Sequence, residues 1–138
     1  MTQHNTISLP YGFERHLPRA TFEEALEKVT VALKKEGFGI LTQIDVKDTL
    51  EKKLAIDFRR YTILGACNPQ LAHQALTADP QIGLLLPCNV VVQEAPQGGI
   101  IVSIADPRSM FTLVKNPDLT PVVDEAEARL RRAAAALA

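Results

Sequence analysis

The stretch "CNVVVQEAPQGGIIVSIAD", Cys88 to Asp106, decides the fold. Two β-branched runs, Val90 to Val92 and Ile100 to Ile104, flank the turn residues Pro96, Gln97, Gly98 and Gly99. That is the pattern of a hairpin. Strands joined so closely pair antiparallel, whereas a parallel doubly wound sheet needs a crossover between them. The expected class is therefore α+β.

Upstream, "YTILGACNPQLAHQAL" (Tyr61 to Leu76) reads as a strand running into a helix. Asn68 and Pro69 fall at N-cap and first helical position, where each is favoured. Leu71, Ala72, Ala75 and Leu76 are expected to face inward. Asp106-Pro107 and Thr120-Pro121 repeat the cap-plus-proline pattern before a short helix and a last helix, 121–137. Thr21 and Glu24 form a capping box, with Phe22, Ala25, Leu26, Val29, Ala32 and Leu33 at helical spacing and Gly37 as the stop. Between these lie an opening strand, Tyr11 to Leu17, preceded by frayed residues 2–8, and "FGILTQIDV", read as a half-buried strand with Phe38, Ile40, Ile44 and Val46 alternating. Asp45 then caps a short helix to Leu54, with Val46, Leu50 and Leu54 in one stripe.

The 138 residues fit one domain, 1–138, with a core over about 10–115. Hydrophobic residues are 46% and charged residues 22%, ordinary for a folded chain. A net charge of −1 provides no field for nucleic acid or anionic membrane, and 5% aromatic residues without tryptophan leave no base-stacking platform. The basic pairs Arg59-Arg60 and Arg131-Arg132 read as solvated surface. The opening "MTQHNTISLPYGF" has no basic n-region and "IGLLLP" is too short to span a bilayer. A cytoplasmic protein with two reduced thiols is expected, with small-molecule or protein partners.

Those thiols are the only two cysteines. Cys67 precedes the Asn68 cap, where helix N–H groups would favour a thiolate. Cys88 opens the next strand after Pro87. If the two strands are neighbours the thiols approach, although a one-residue slip in register would part them. The candidate readings are a nucleophile at Cys67 with His73 as its base, a redox pair of Cys67 and Cys88, a soft-metal site of Cys67, Cys88 and His73, and simple packing of both thiols in the core. Asn68, Asn89, Glu94 and Asp106 are further pocket candidates. Glu94 shares a strand face with Cys88, Val90 and Val92 and would be desolvated if that face is the core, while Asp106 also reads as a helix cap. No CxxC, P-loop, GxGxxG or GxSxG occurs.

"GACNPQLAHQAL" and "IGLLLPCNVVV", within a match over about residues 10 to 115, resemble the domain-of-unknown-function 302 family. The resemblance implies an antiparallel sheet packed on one side by helices, in a TATA-binding-protein-like arrangement, often paired as a homodimer. The signature positions correspond to Gly65, Cys67, Asn68, Pro69, His73, Pro87, Cys88, Asn89 and Glu94. It leaves activity and cofactor open. The expectation is a dimeric small-ligand-binding or interaction module with a pocket near Cys67 and Cys88. The alternatives are a thiol-dependent enzyme or redox sensor, and a domain holding a soft metal or haem.

Overall fold

A computed structural model describes residues 6–137. Six strands form one sheet: β1 (Ile7–Leu9), β2 (Gly12–Leu17), β3 (Gly39–Asp45), β4 (Tyr61–Cys67), β5 (Cys88–Glu94) and β6 (Ile100–Ala105). Their spatial order is β1-β2-β6-β5-β4-β3, every pair antiparallel. The helices are α1 (Phe22–Lys35), α2 (Val46–Leu54), α3 (Pro69–Ala78), α4 (Pro107–Phe111) and α5 (Thr120–Ala135), with 3-10 turns at Pro80–Leu85 and Pro117–Leu119. The fold is α+β.

The local signals act as read. Thr21 Oγ1 accepts from the Glu24 amide at 3.1 Å while Glu24 Oε1 accepts from the Thr21 amide at 2.9 Å. Asp45, Asn68 and Asp106 each cap the helix that follows. Both halves of the Cys88–Asp106 hairpin pair, Val92 facing Val102.

The core lies between one sheet face and α1 with α5. Phe13, Leu64, Val90, Val92, Val102 and Ile104 project from the sheet onto Ala25, Val29 and Leu33 of α1 and Leu130 and Ala134 of α5. Burying each of the larger side chains contributes about 1.5–3 kcal/mol. A smaller cluster, Ala75, Ile82, Leu119 and Val122, joins α3 to α5 through the two 3-10 turns. Gly37 ends α1 at φ 84°, and a Cβ there would sit 2.8 Å from Asn68 Nδ2, so the turn needs glycine for both conformation and space.

Three expectations change. Ile7 and Ser8, read as frayed, pair with β2 as part of the strand Ile7–Leu9, while residues 2–5 of that segment lie outside the described residues. The 39–45 strand is an exposed edge and not half-buried. Its register shifts between Ile40 and Thr42, so Ile40 faces Ala66 on the core side while Ile44 faces Ile63 on the other. One extra residue reverses the alternation. Leu54 and Leu76, assigned to inward stripes, are 61% and 41% exposed, because α2 buries no residue and α3 meets the core along Leu71 and Ala75.

Among the described residues no helix is long and apolar enough to cross a membrane. The basic pairs are exposed or half-buried: Arg60 pairs with Glu23 at 2.6 Å, Arg131 with Glu127 at 2.9 Å and Arg132 with Glu36 at 2.9 Å, while Arg59 donates to Gln93 at 3.0 Å.

Candidate functional site

β4 ends at Cys67 and its neighbour β5 begins at Cys88. Cys88 stands opposite Ala66, which places Cys67 one residue further along the ladder. Strict alternation would send Cys67 to the opposite face. The strand stops there, however, and the chain turns into α3 at Asn68. Both cysteines consequently line one cavity of about 40 Å³.

The cavity is closed by parts distant in sequence: Leu71 and Ala75 of α3, Phe111 of α4, and Val122 and Ala126 of α5. Its walls are aliphatic and aromatic apart from the two thiols and Asn68. Asn68 is buried, with Oδ1 accepting from the Leu71 amide at 3.1 Å. Gly65 sets the outer side of this corner. A Cβ at Gly65 would lie 2.3 Å from Thr42 Oγ1 and 2.8 Å from Pro87 Cγ, so the proline ring before Cys88 packs where only glycine leaves room.

The electrostatics oppose the thiolate expected at Cys67. Burial pushes its thiol up, because a low-dielectric wall penalises the charged form. Cys88 is pushed up to about 11, first by desolvation and then by the neighbouring Cys67. One of the α3 amides near the strand end, that of Leu71, is already engaged by Asn68. Both thiols hold their protons at neutral pH, which removes the activation a nucleophilic or redox-sensing Cys67 requires.

The other candidates are dispersed. His73 is exposed on α3 and is not on the cavity wall, so it is neither base nor third ligand there. Among the described residues no group of three or more His, Cys, Asp or Glu is placed to hold a metal ion. Asn89 is exposed opposite Gly65, on the sheet face away from α1 and α5. Asp106 caps α4, accepting from the Arg108 amide at 3.0 Å, and touches the cavity only through its neighbour Pro107. Glu94 closes the far end of β5, about 20 Å from Cys88 at the usual strand rise. It is exposed, accepts from the Arg60 amide at 2.9 Å, and borders an open groove with Arg59 and Glu23.

Sequence reading passed over Arg15, which is 3% exposed on the core face of β2 between Phe13 and Leu17. Its guanidinium donates to the carbonyls of Ala134 and Leu137, at and just past the end of α5. Desolvation lowers its pKa. The available signal was its position, third of five in an inward-outward alternation whose other inward members are apolar.

The family model for the domain of unknown function DUF302 matches residues 13–137. An uncharacterised conserved DUF302 protein from Bacillus stearothermophilus, solved by crystallography, is 28% identical, covers 89% of this chain and 94% of its own, and superposes with a TM-score of 0.81. No curated protein matches the chain significantly.

Proposed function

The chain belongs to the DUF302 family, and from that premise we propose that it is a small-ligand-binding module whose site is the cavity between Cys67 and Cys88. The observation that carries this reading is the convergence of both cysteines on one apolar cavity built from five separate elements. Packing alone would be served by filling the space.

The cavity's size selects its ligand. About 40 Å³ exceeds the roughly 10–15 Å³ a single water needs, and is far below the roughly 300–1,000 Å³ of a drug-sized site. Haem does not fit this enclosure. A ligand of a few atoms does, and the apolar wall favours one that sheds its water. Xenon is the direct probe. Under xenon pressure, amide shifts confined to Leu71, Cys88 and Val123, and abolished by the space-filling Ala72→Leu, are expected. An unchanged spectrum would remove the reading.

A second observation favours self-association. On the sheet face away from α1 and α5, Ile7, Glu14, Ser103, Val91, Ile63 and Ile44 form a single register row across all six strands. Four of the six are aliphatic. The next row, His16, Ile101, Gln93 and Tyr61, adds no carboxylate. Five strands of six or seven residues and the three-residue β1, about 4.8 Å apart, present a flat area of roughly 500–600 Å², below the roughly 800 Å² per partner of a standard interface but of the same order. The occupant that suits a flat, charge-poor face of this size is a second copy, face to face about a two-fold axis. Sedimentation of a dimer at micromolar concentration, dissociated by Val91→Glu, is expected. A monomer, or a dimer that keeps its mass in Val91→Glu, would overturn this pairing.

A further inference from the structure

We propose that Cys67 and Cys88 form a two-coordinate thiolate site for a soft monovalent d10 cation, copper(I). This deepens the ligand-binding reading and rests on it.

The donor count comes first. The two cysteines of the chain stand at the adjoining ends of neighbouring antiparallel strands, offset by one residue. That offset sets their Cα atoms about 6 Å apart from ordinary ladder spacings. Both face one cavity. His73 is turned to solvent, and among the described residues no third ionisable ligand completes a cluster. Zinc at a structural site takes four ligands, and at a catalytic site three with a water. Soft thiolates suit copper(I), zinc and iron–sulfur clusters, and of these only copper(I) is content with two thiolates in linear coordination.

The surroundings agree with the count. A cavity of about 40 Å³ with aliphatic walls admits a bare ion and excludes a hydration shell. Hard divalent ions give up that shell reluctantly, while copper(I) exchanges it readily for sulfur. Binding is a proton exchange: two thiols and one Cu⁺ yield one bis-thiolate complex of charge −1 and two released protons. The negative complex lies at the start of α3, ten residues long, whose dipole presents its positive end there. Neutral thiols otherwise suit the apolar wall, so the empty site is a stable resting state.

The release of two protons shapes the test. The full-length chain is titrated anaerobically with copper(I) held by a chromophoric bidentate chelator, at pH 6, 7 and 8. One copper per chain is expected, with apparent affinity rising about 100-fold per pH unit while both thiols start protonated. Cys67→Ser and Cys88→Ser each should abolish competition while retaining the circular dichroism spectrum. X-ray absorption of the loaded protein should show two sulfur neighbours and no nitrogen or oxygen. Failure to withdraw copper from the chelator overturns the site, as does full retention by either single variant or a half-copper stoichiometry. If xenon still enters a cavity that refuses copper, the metal site alone falls. If neither enters, both readings fall.

Discussion

Arg15 in the second strand donates to the carbonyl of Leu137, 122 residues away and just past the end of the last helix. With its bond to Ala134, whose carbonyl also accepts from the Leu137 amide at 3.1 Å, this buried guanidinium gathers carbonyls at and just past the helix end. It fixes the C-terminal end of α5 onto the sheet.

Replacing Arg15 with methionine keeps the aliphatic bulk and removes the guanidinium donors from the Leu137 and Ala134 carbonyls, the second of which keeps the Leu137 amide. A loss of about 2–4 kcal/mol is expected, read from urea unfolding midpoints. Arg15→Lys, with one ammonium in place of the fork, should recover part of it. A change under about 0.5 kcal/mol for Arg15→Met would show that the bonds stabilise nothing.

Gly65→Ala is expected to destabilise by about 1–3 kcal/mol through overpacking against Thr42 and Pro87. The Thr42 hydroxyl can rotate away, but the Pro87 ring is rigid. Adding Thr42→Ala should therefore restore less than half. Full restoration by Thr42→Ala in a thermal melt would assign the clash to the hydroxyl alone.

Alkylation resolved by peptide mass spectrometry should find both thiols slower than a free cysteine at pH 7. Cys88, pushed up to about 11, should be slower than Cys67. A Cys67 rate above that of a free thiol would restore the nucleophile reading that the cavity's desolvation argues against.

Stability should also report Cys88. Its thiol titrates near 9 when unperturbed and at about 11 in the fold, so between those values the native state holds a proton that the unfolded state has released. Stability from this group is intact below about pH 9 and falls by about 2–3 kcal/mol as pH rises to about 11. The excess stability of the wild type over Cys88→Ala should shrink across that window. Parallel curves would contradict the desolvation of this thiol.

Much of the fold is legible in order of chain. The Thr21–Glu24 box, the Asn68-Pro69 and Asp106-Pro107 starts and the Val/Ile hairpin all form where local chemistry places them. Each involves groups within a few residues of one another, where backbone geometry leaves little choice. The neighbouring of Cys67 and Cys88 was legible only as a condition on register, and it holds: Cys88 faces Ala66. The remaining candidates are another matter. His73, Asn89 and Glu94 share the signature segments with the thiols, but the first lies on an exposed helix face, the second on the opposite sheet face and the third at the far end of the strand.

What the sequence by itself determined is therefore the class, the helix starts and the two thiols at the ends of strands. Caps, turns and periodicity are short-range and read directly. Only the tertiary structure decided that a bulge sends Ile44 away from the core, that Arg15 is buried beneath α5, and that Phe111, Val122 and Ala126 close a cavity over Cys67 and Cys88. Those outcomes depend on how strands and helices far apart in the chain divide the same space, and a one-residue change of register exchanges one sheet face for the other.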